Sequence, residues 1–208
     1  MTPRIGSLCT GYGGLDIAVR SVFGGELVWW SDIEPGPVKL LTERHPGVPN
    51  LGDLKAVDWY GVEPVDILTA GYPCQPFSNA GKRLGLDDPR HLWPWIAHAI
   101  AILRPRTVVL ENVAAHRRRG FRIVAGDLAA LGYHVGWTIN QADHVGAPHE
   151  RKRLFIVAVA EDAHVEPSDQ RWRAAPRQEE GWRSRTDVEG RDSRTDHATA
   201  ADAQGVGR

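Results

Sequence analysis

The sequence predicts an α/β fold in which a mostly parallel sheet carries helices on both faces. Three observations predict it. Short β-rich apolar runs alternate with stretches of helical spacing through the first 160 residues, the pattern of strands joined by covering helices. Almost all the large core-forming side chains lie in that span. The residues able to do chemistry fall where the apolar runs end, which is where such sheets bind ligands.

Taken in order, residues 4–10 read as a buried strand entering the turn Gly11-Tyr12-Gly13-Gly14, and residues 15–23 as the helix that follows. Residues 26–31 form a second strand, with a helix over 35–44 behind it. Residues 65–70, 107–110 and 154–160 are further β-rich runs, while 92–103 and 121–131 carry helical spacing.

Composition narrows the class. The 208 residues hold 25 Lys and Arg against 26 Asp and Glu, a net charge of −1, which argues against a polybasic protein while leaving room for a local basic groove. No run approaches the roughly 18 apolar residues of a membrane span, and Met1-Thr2-Pro3-Arg4 does not open a signal peptide. Cys9 and Cys74 cannot make a disulfide framework, so a reducing, cytoplasmic setting is expected. From residue 161 onward the chain has eleven acids and eight arginines but no Leu, Ile, Phe, Met or Lys. Such a segment buries too little surface to offset its ordering entropy. The expected division is a folded domain over 1–160 and a disordered linker or truncated insertion over 161–208.

The glycine turn lets the backbone bend tightly and approach a ligand. The third glycine of a dinucleotide fingerprint is replaced by Asp16, which weakens a nicotinamide reading. Asp32 ends the second strand, where an acid accepts ribose hydroxyls or, equally, caps the helix behind it. Asp53, in Gly52-Asp53-Leu54, is placed at another strand end, able to accept from an adenine amino group. Together these point to an adenosine-containing cofactor without a pyrophosphate. In Gly71-Tyr72-Pro73-Cys74-Gln75-Pro76-Phe77-Ser78 two prolines bracket a thiol, which fixes it in a loop after a buried strand. Cys9, at an apolar strand end, is expected to be buried and inert.

The stretch Pro73-Cys74-Gln75-Pro76-Phe77-Ser78 resembles the nucleophile loop of the C5-cytosine-specific DNA methyltransferases. The family's other motifs follow in order: Ser7-Leu8-Cys9-Thr10-Gly11-Tyr12-Gly13-Gly14, Glu111-Asn112-Val113, and Gly146-Ala147-Pro148-His149-Glu150-Arg151-Lys152-Arg153. The resemblance covers roughly residues 4–160 and implies a Rossmann-like fold using S-adenosylmethionine. It implies cofactor contacts at Leu8, Gly11, Gly13, Gly14, Leu15, Asp32, Ile33, Asp53, Leu54, Pro73 and Leu92. It further implies that Cys74 adds to cytosine C6 as nucleophile, that Glu111 holds the base at N3 and its amine, and that Arg153, braced by Arg151, holds O2. A duplex base is out of reach of this chemistry, so the target in double-stranded DNA must be flipped out. Gln75, Ser78 and the loop to Arg90 would close over the DNA. No metal is implied.

The sequence departs from the family in four places. Cys9 stands where a Phe usually packs on the adenine, Ser7 where an acid is usual, and His149 where a Gln is usual. The recognition domain and the final motifs have no counterpart after residue 160, so a second chain supplying target recognition is a candidate partner. Two alternatives stand beside the DNA enzyme: a non-catalytic fragment or half of a split enzyme, and a tRNA cytosine-C5 methyltransferase.

Overall fold

The computed structural model describes residues 2–73 and 92–161. They form one six-stranded sheet in the order β2-β1-β3-β4-β6-β5. Strands β1 (Arg4–Leu8), β2 (Glu26–Ser31), β3 (Ile67–Ala70) and β4 (Thr107–Val113) are parallel. Strand β6 (Lys152–Ala160) runs antiparallel between β4 and the edge strand β5 (Tyr133–Gln141). The chain leaves β1 toward β2 on one side and returns to build β3 and β4 on the other. This puts the reversal of strand order between β1 and β3, where open sheets of this kind form a ligand crevice.

Helices cover both faces, as the alternation of runs predicts. Helices α1 (Gly14–Phe23) and α2 (Pro35–Arg44) pack Val19 and Leu41 on Ile5, Leu27, Trp30, Ile67 and Val109. On the other face α3 (Trp93–Leu103) and α5 (Phe121–Ala130) set Ile96, Ile100, Val124 and Leu128 against Leu8, Leu68, Leu110 and Ile156. The short helix α4 (His116–Arg119) links β4 to α5. Apolar burial on both faces is the main driving force for this arrangement.

The sequence expectations match closely for β2 and α2 and differ at four other places. The first strand stops at Leu8, because Cys9 takes a left-handed φ of 48° and starts the turn. Strand β4 runs three residues past 110, so Glu111 lies inside the strand, paired in register with Phe155, rather than at its end. Asp53 lies in a loop and not at a strand end, because the run before it makes only one isolated bridge, Trp30 with Asn50. Strand β5 was not expected at all. The expected tail over 161–208 lies, beyond Glu161, outside the described residues. Among the described residues no helix is long and apolar enough to cross a membrane.

Gly6 shows how tightly the crevice side is built. Between Ile5 and Gly6 the β1–β2 register shifts, and the indole of the fully buried Trp29 fills the space a side chain at position 6 would need. The Trp29 indole is fixed by donating from Nε1 to the Glu63 carbonyl at 2.9 Å. Gly6→Ala is therefore expected to destabilise the chain by about 1–3 kcal/mol through overpacking. Thermal unfolding of the variant beside the parent measures it.

Candidate active site

The turn after β1 is held open by backbone geometry. Gly11 and Gly13 have φ of 55° and 77°, values that disfavour any residue with a Cβ. A Cβ added at Gly11 or Gly14 would meet no atom within 4 Å, so the backbone there faces free space. No side chain caps the start of α1 at Gly13. The Gly11 N–H instead donates to Asp32 Oδ2 at 2.8 Å, which ties the turn to the end of β2. Asp32 Oδ1 accepts from the Glu34 N–H at 2.9 Å. Asp32 thus holds the approach to α2 through the Glu34 N–H, without a side-chain cap on that helix, and stands beside the glycine turn.

Asn50, which the sequence did not single out, organises the next loop. Its side chain donates to the Asp32 carbonyl at 3.1 Å and accepts from the N–H groups of Asp32 and Gly52 at 3.2 and 3.0 Å. Asp53 follows directly, its Oδ1 accepting from the Lys55 N–H at 3.0 Å. The Cys9 thiol feels both acids. Burial first, then the charges of Asp32 and Asp53, push its pKa up to about 12, so it stays protonated and unreactive. It is partly rather than fully buried, which corrects the expectation of full burial.

The apolar residues assigned to this turn separate into two groups. Ile33 is 64% exposed beside it, with apolar surface available to a ligand, and Tyr12, which the sequence did not assign, is 65% exposed. Leu8 and Leu54 are core residues, with Leu8 wholly buried. Their side chains pack into the sheet-covering cluster, so at those two positions only the backbone could face a ligand. The Leu8 carbonyl already accepts from the Gly71 N–H at 3.3 Å. Leu15 packs partly against the α1–α2 core, and Leu92 forms the N-terminal boundary of α3 with its carbonyl accepting from Ile96.

Beneath the turn, the buried Asp16 reaches toward β1 and β3. Ser7 on β1 and Thr69 on β3 donate to its two carboxylate oxygens at 3.0 and 2.5 Å. One buried carboxylate from α1 therefore joins the two strands that flank the crevice. Burial raises its proton affinity, and the two hydroxyl donors partly offset that. Thr69 leads through Ala70 into Gly71.

Gly71 brings the two halves of the site together. A Cβ there would touch the Cys9 carbonyl at 3.5 Å on one side and Glu111 Oε2 at 3.8 Å on the other. Glu111 is ion-paired with Arg153, Oε1 to Nε at 2.5 Å, each side chain about a quarter exposed. The pairing follows from register: Arg153 sits opposite Val113, two residues along β4 and on the same face as Glu111. Arg151 precedes β6, is exposed, and holds the preceding loop through its backbone, its carbonyl accepting from Ala142 at 3.1 Å. The structure joins Arg153 to Glu111 and gives Arg151 no contact with either.

Tyr72 is fixed at both ends. Its carbonyl accepts from Asn112 Nδ2 at 3.1 Å, and its hydroxyl shares a 3.0 Å hydrogen bond with His116 Nε2, all three residues being buried. The exposed Pro73 leads from it toward the thiol. Cys74, Gln75, Ser78 and Arg90 lie outside the described residues. Among the described residues no cluster of His, Cys, Asp and Glu has the makings of a metal site.

Comparison with known proteins adds three findings. The family model for C-5 cytosine-specific DNA methylases matches residues 3–200, past the point where the core composition ends. Type II methyltransferase M.NgoBV of Neisseria gonorrhoeae is 35% identical over 143 residues, covering 63% of this chain and 34% of that protein. Type II methyltransferase M.MspI of a Moraxella species is 34% identical over 157 residues, covering 73% and 37%. The chain thus spans about a third of the length of these curated relatives. Among solved structures, the S. pombe Dnmt2 methyltransferase superposes with a TM-score of 0.66 at 20% identity, over 87% of this chain and 59% of its own. A Spodoptera frugiperda DNMT2 mutant gives 0.62 at 22%, over 78% and 51%. These likenesses show that the fold is the Rossmann-like methyltransferase fold.

Proposed function

Because the chain belongs to the C-5 cytosine-specific DNA methylase family, we propose that it transfers a methyl group from S-adenosylmethionine to C5 of a cytosine flipped out of duplex DNA. The observation that carries this is Gly71, which spans from the backbone of the glycine turn to Glu111 and stands three residues before Cys74. A cofactor at the turn and a base at Glu111 would meet there.

The residues present fit the cofactor. Gly11 and Gly14 leave free space where side chains would otherwise stand, and Asp32 keeps acceptor capacity beyond its two backbone donors. Exposed Ile33 offers an apolar face to an adenine, and Asp53 an acceptor for its amine. S-adenosylmethionine bound there would supply an electrophilic methyl group, its sulfonium S–CH3 bond breaking to leave a neutral thioether.

On the base side, Cys74 as thiolate adds to C6 and breaks the C5–C6 π bond, making C5 nucleophilic. Glu111 holds N3 and the amino group while that charge develops, and Arg153 contacts O2. Once C5 carries the methyl group, its proton is lost to a base, the C5–C6 double bond re-forms and the Cys74 thiolate leaves. The Glu111–Arg153 pair keeps both groups aimed at one edge of a planar ring before a base arrives, so little reorganisation is left for the reaction.

Binding of S-adenosylmethionine, measured by calorimetry, tests the cofactor half. Asp32→Ala removes the charged acceptor that organises the Gly11 turn, a loss of about 1.5 kcal/mol or more, so affinity should fall at least about tenfold. Unchanged affinity in Asp32→Ala would remove Asp32 from the cofactor site.

A further inference from the structure

Four arginines stand within six residues just past β4: Arg117, Arg118, Arg119 and Arg122. The last three are exposed. Arg117 is anchored, its guanidinium carbon 4.4 Å from the ring centre of Trp137 and 5.0 Å from that of Phe121. Its Nε is buried and has no hydrogen-bond partner among the described residues. Burial, with the charge of Arg122 close by, lowers its affinity for a proton. Among the described residues neither Arg118 nor Arg122 forms an ion pair. The exposed Arg118 and Arg122, beside an arginine stacked on two aromatic rings, make a surface suited to an external anion.

His116, the first residue of α4, is hydrogen-bonded to Tyr72, and Asn112 holds the Tyr72 backbone. The arginines therefore extend from a segment braced to the residue two before Cys74. A substrate base presented to Glu111, two residues before the end of β4, would carry its flanking phosphates toward the segment that follows the strand. A planar guanidinium matches a phosphodiester in two parallel hydrogen bonds.

We propose that Arg118 and Arg122, with Arg117 as their stacked anchor, form a phosphate-contacting patch for the nucleic-acid backbone flanking the target cytosine. It reads charge and spacing and carries no sequence preference. The inference rests on the reading that this site acts on nucleic acid.

The test is binding of a short unmethylated duplex to the full chain across a salt series, by fluorescence anisotropy. The double variant Arg118→Ala with Arg122→Ala should lower the slope of log affinity against log salt by about 2, equally for unrelated duplex sequences. Arg118→Lys with Arg122→Lys should keep the parent slope, since the charge remains. Arg20→Ala, on α1 near the amino ends of the strands, should also keep it. S-adenosylmethionine affinity, unchanged in every variant, shows that each is folded. A parent slope in the double alanine variant overturns the patch, as does a parent chain that does not bind the duplex. Methyl transfer separates the two readings. Transfer with an unaltered slope defeats the patch alone, and a lowered slope without transfer by the parent defeats the proposed reaction alone.

Discussion

Cys74→Ala is expected to abolish methyl transfer to cytosine while leaving S-adenosylmethionine affinity within about twofold of the parent. The chemistry makes the effect large. Cytosine C5 is a poor nucleophile until C6 carries a thiolate, and alanine offers no atom that can add. No second nucleophile substitutes for it. Cys9 is the chain's other thiol, and burial together with the charges of Asp32 and Asp53 holds its pKa up at about 12. It lies in the turn after β1, on the cofactor side of Gly71. Labelled methyl incorporation into duplex DNA, beside calorimetric cofactor binding, checks both parts. Residual transfer above a few per cent in Cys74→Ala would mean that the thiol is not the nucleophile.

Glu111→Gln should reduce transfer by about 10²–10⁴-fold, the span for losing a positioned group that exchanges or stabilises a proton in the transition state. The substitution keeps size and one acceptor for the amine but removes the carboxyl that can hold a proton at N3. It also leaves Arg153 without its partner at 2.5 Å. Cofactor affinity should change little, because the contacts that shape the glycine turn come from Asp32. Single-turnover kinetics with saturating cofactor separates the chemical step from binding. A rate within threefold of the parent would place Glu111 outside the chemistry.

Much of this site is legible in the sequence because it rests on local rules. A glycine turn after an apolar run, an acid at the end of β2 and a thiol between prolines each follow from backbone freedom or restriction within a few residues. What the sequence hides are contacts between distant segments. Tyr72 and His116 are 44 positions apart, and nothing local marks either as the other's partner. Asn50 reads as an ordinary loop residue, although its amide fixes both Asp32 and the loop that carries Asp53. The Ser7–Asp16–Thr69 network is similar: Asp16 looks like an interruption of a fingerprint until the fold delivers it under β1 and β3. Strand β5 is a different case. Tyr133, Val135, Trp137 and Ile139 alternate with His134, Gly136, Thr138 and Asn140, a period of two that does signal a strand. Its glycine and polar face belong to an edge position, where one side of the sheet needs no apolar cover.

The central claim is that Cys74 bonds to C6 of a cytosine held at Glu111 and Arg153. It is tested most directly with a duplex carrying 5-fluorocytosine, in which C5 has a fluorine that cannot leave as a proton does. Incubated with S-adenosylmethionine, the parent chain should yield a protein–DNA species stable to denaturation, with mass spectrometry placing the link at Cys74. Cys74→Ala should yield none. A folded, cofactor-binding parent chain that forms no such species, or one linked at another residue, would contradict the account.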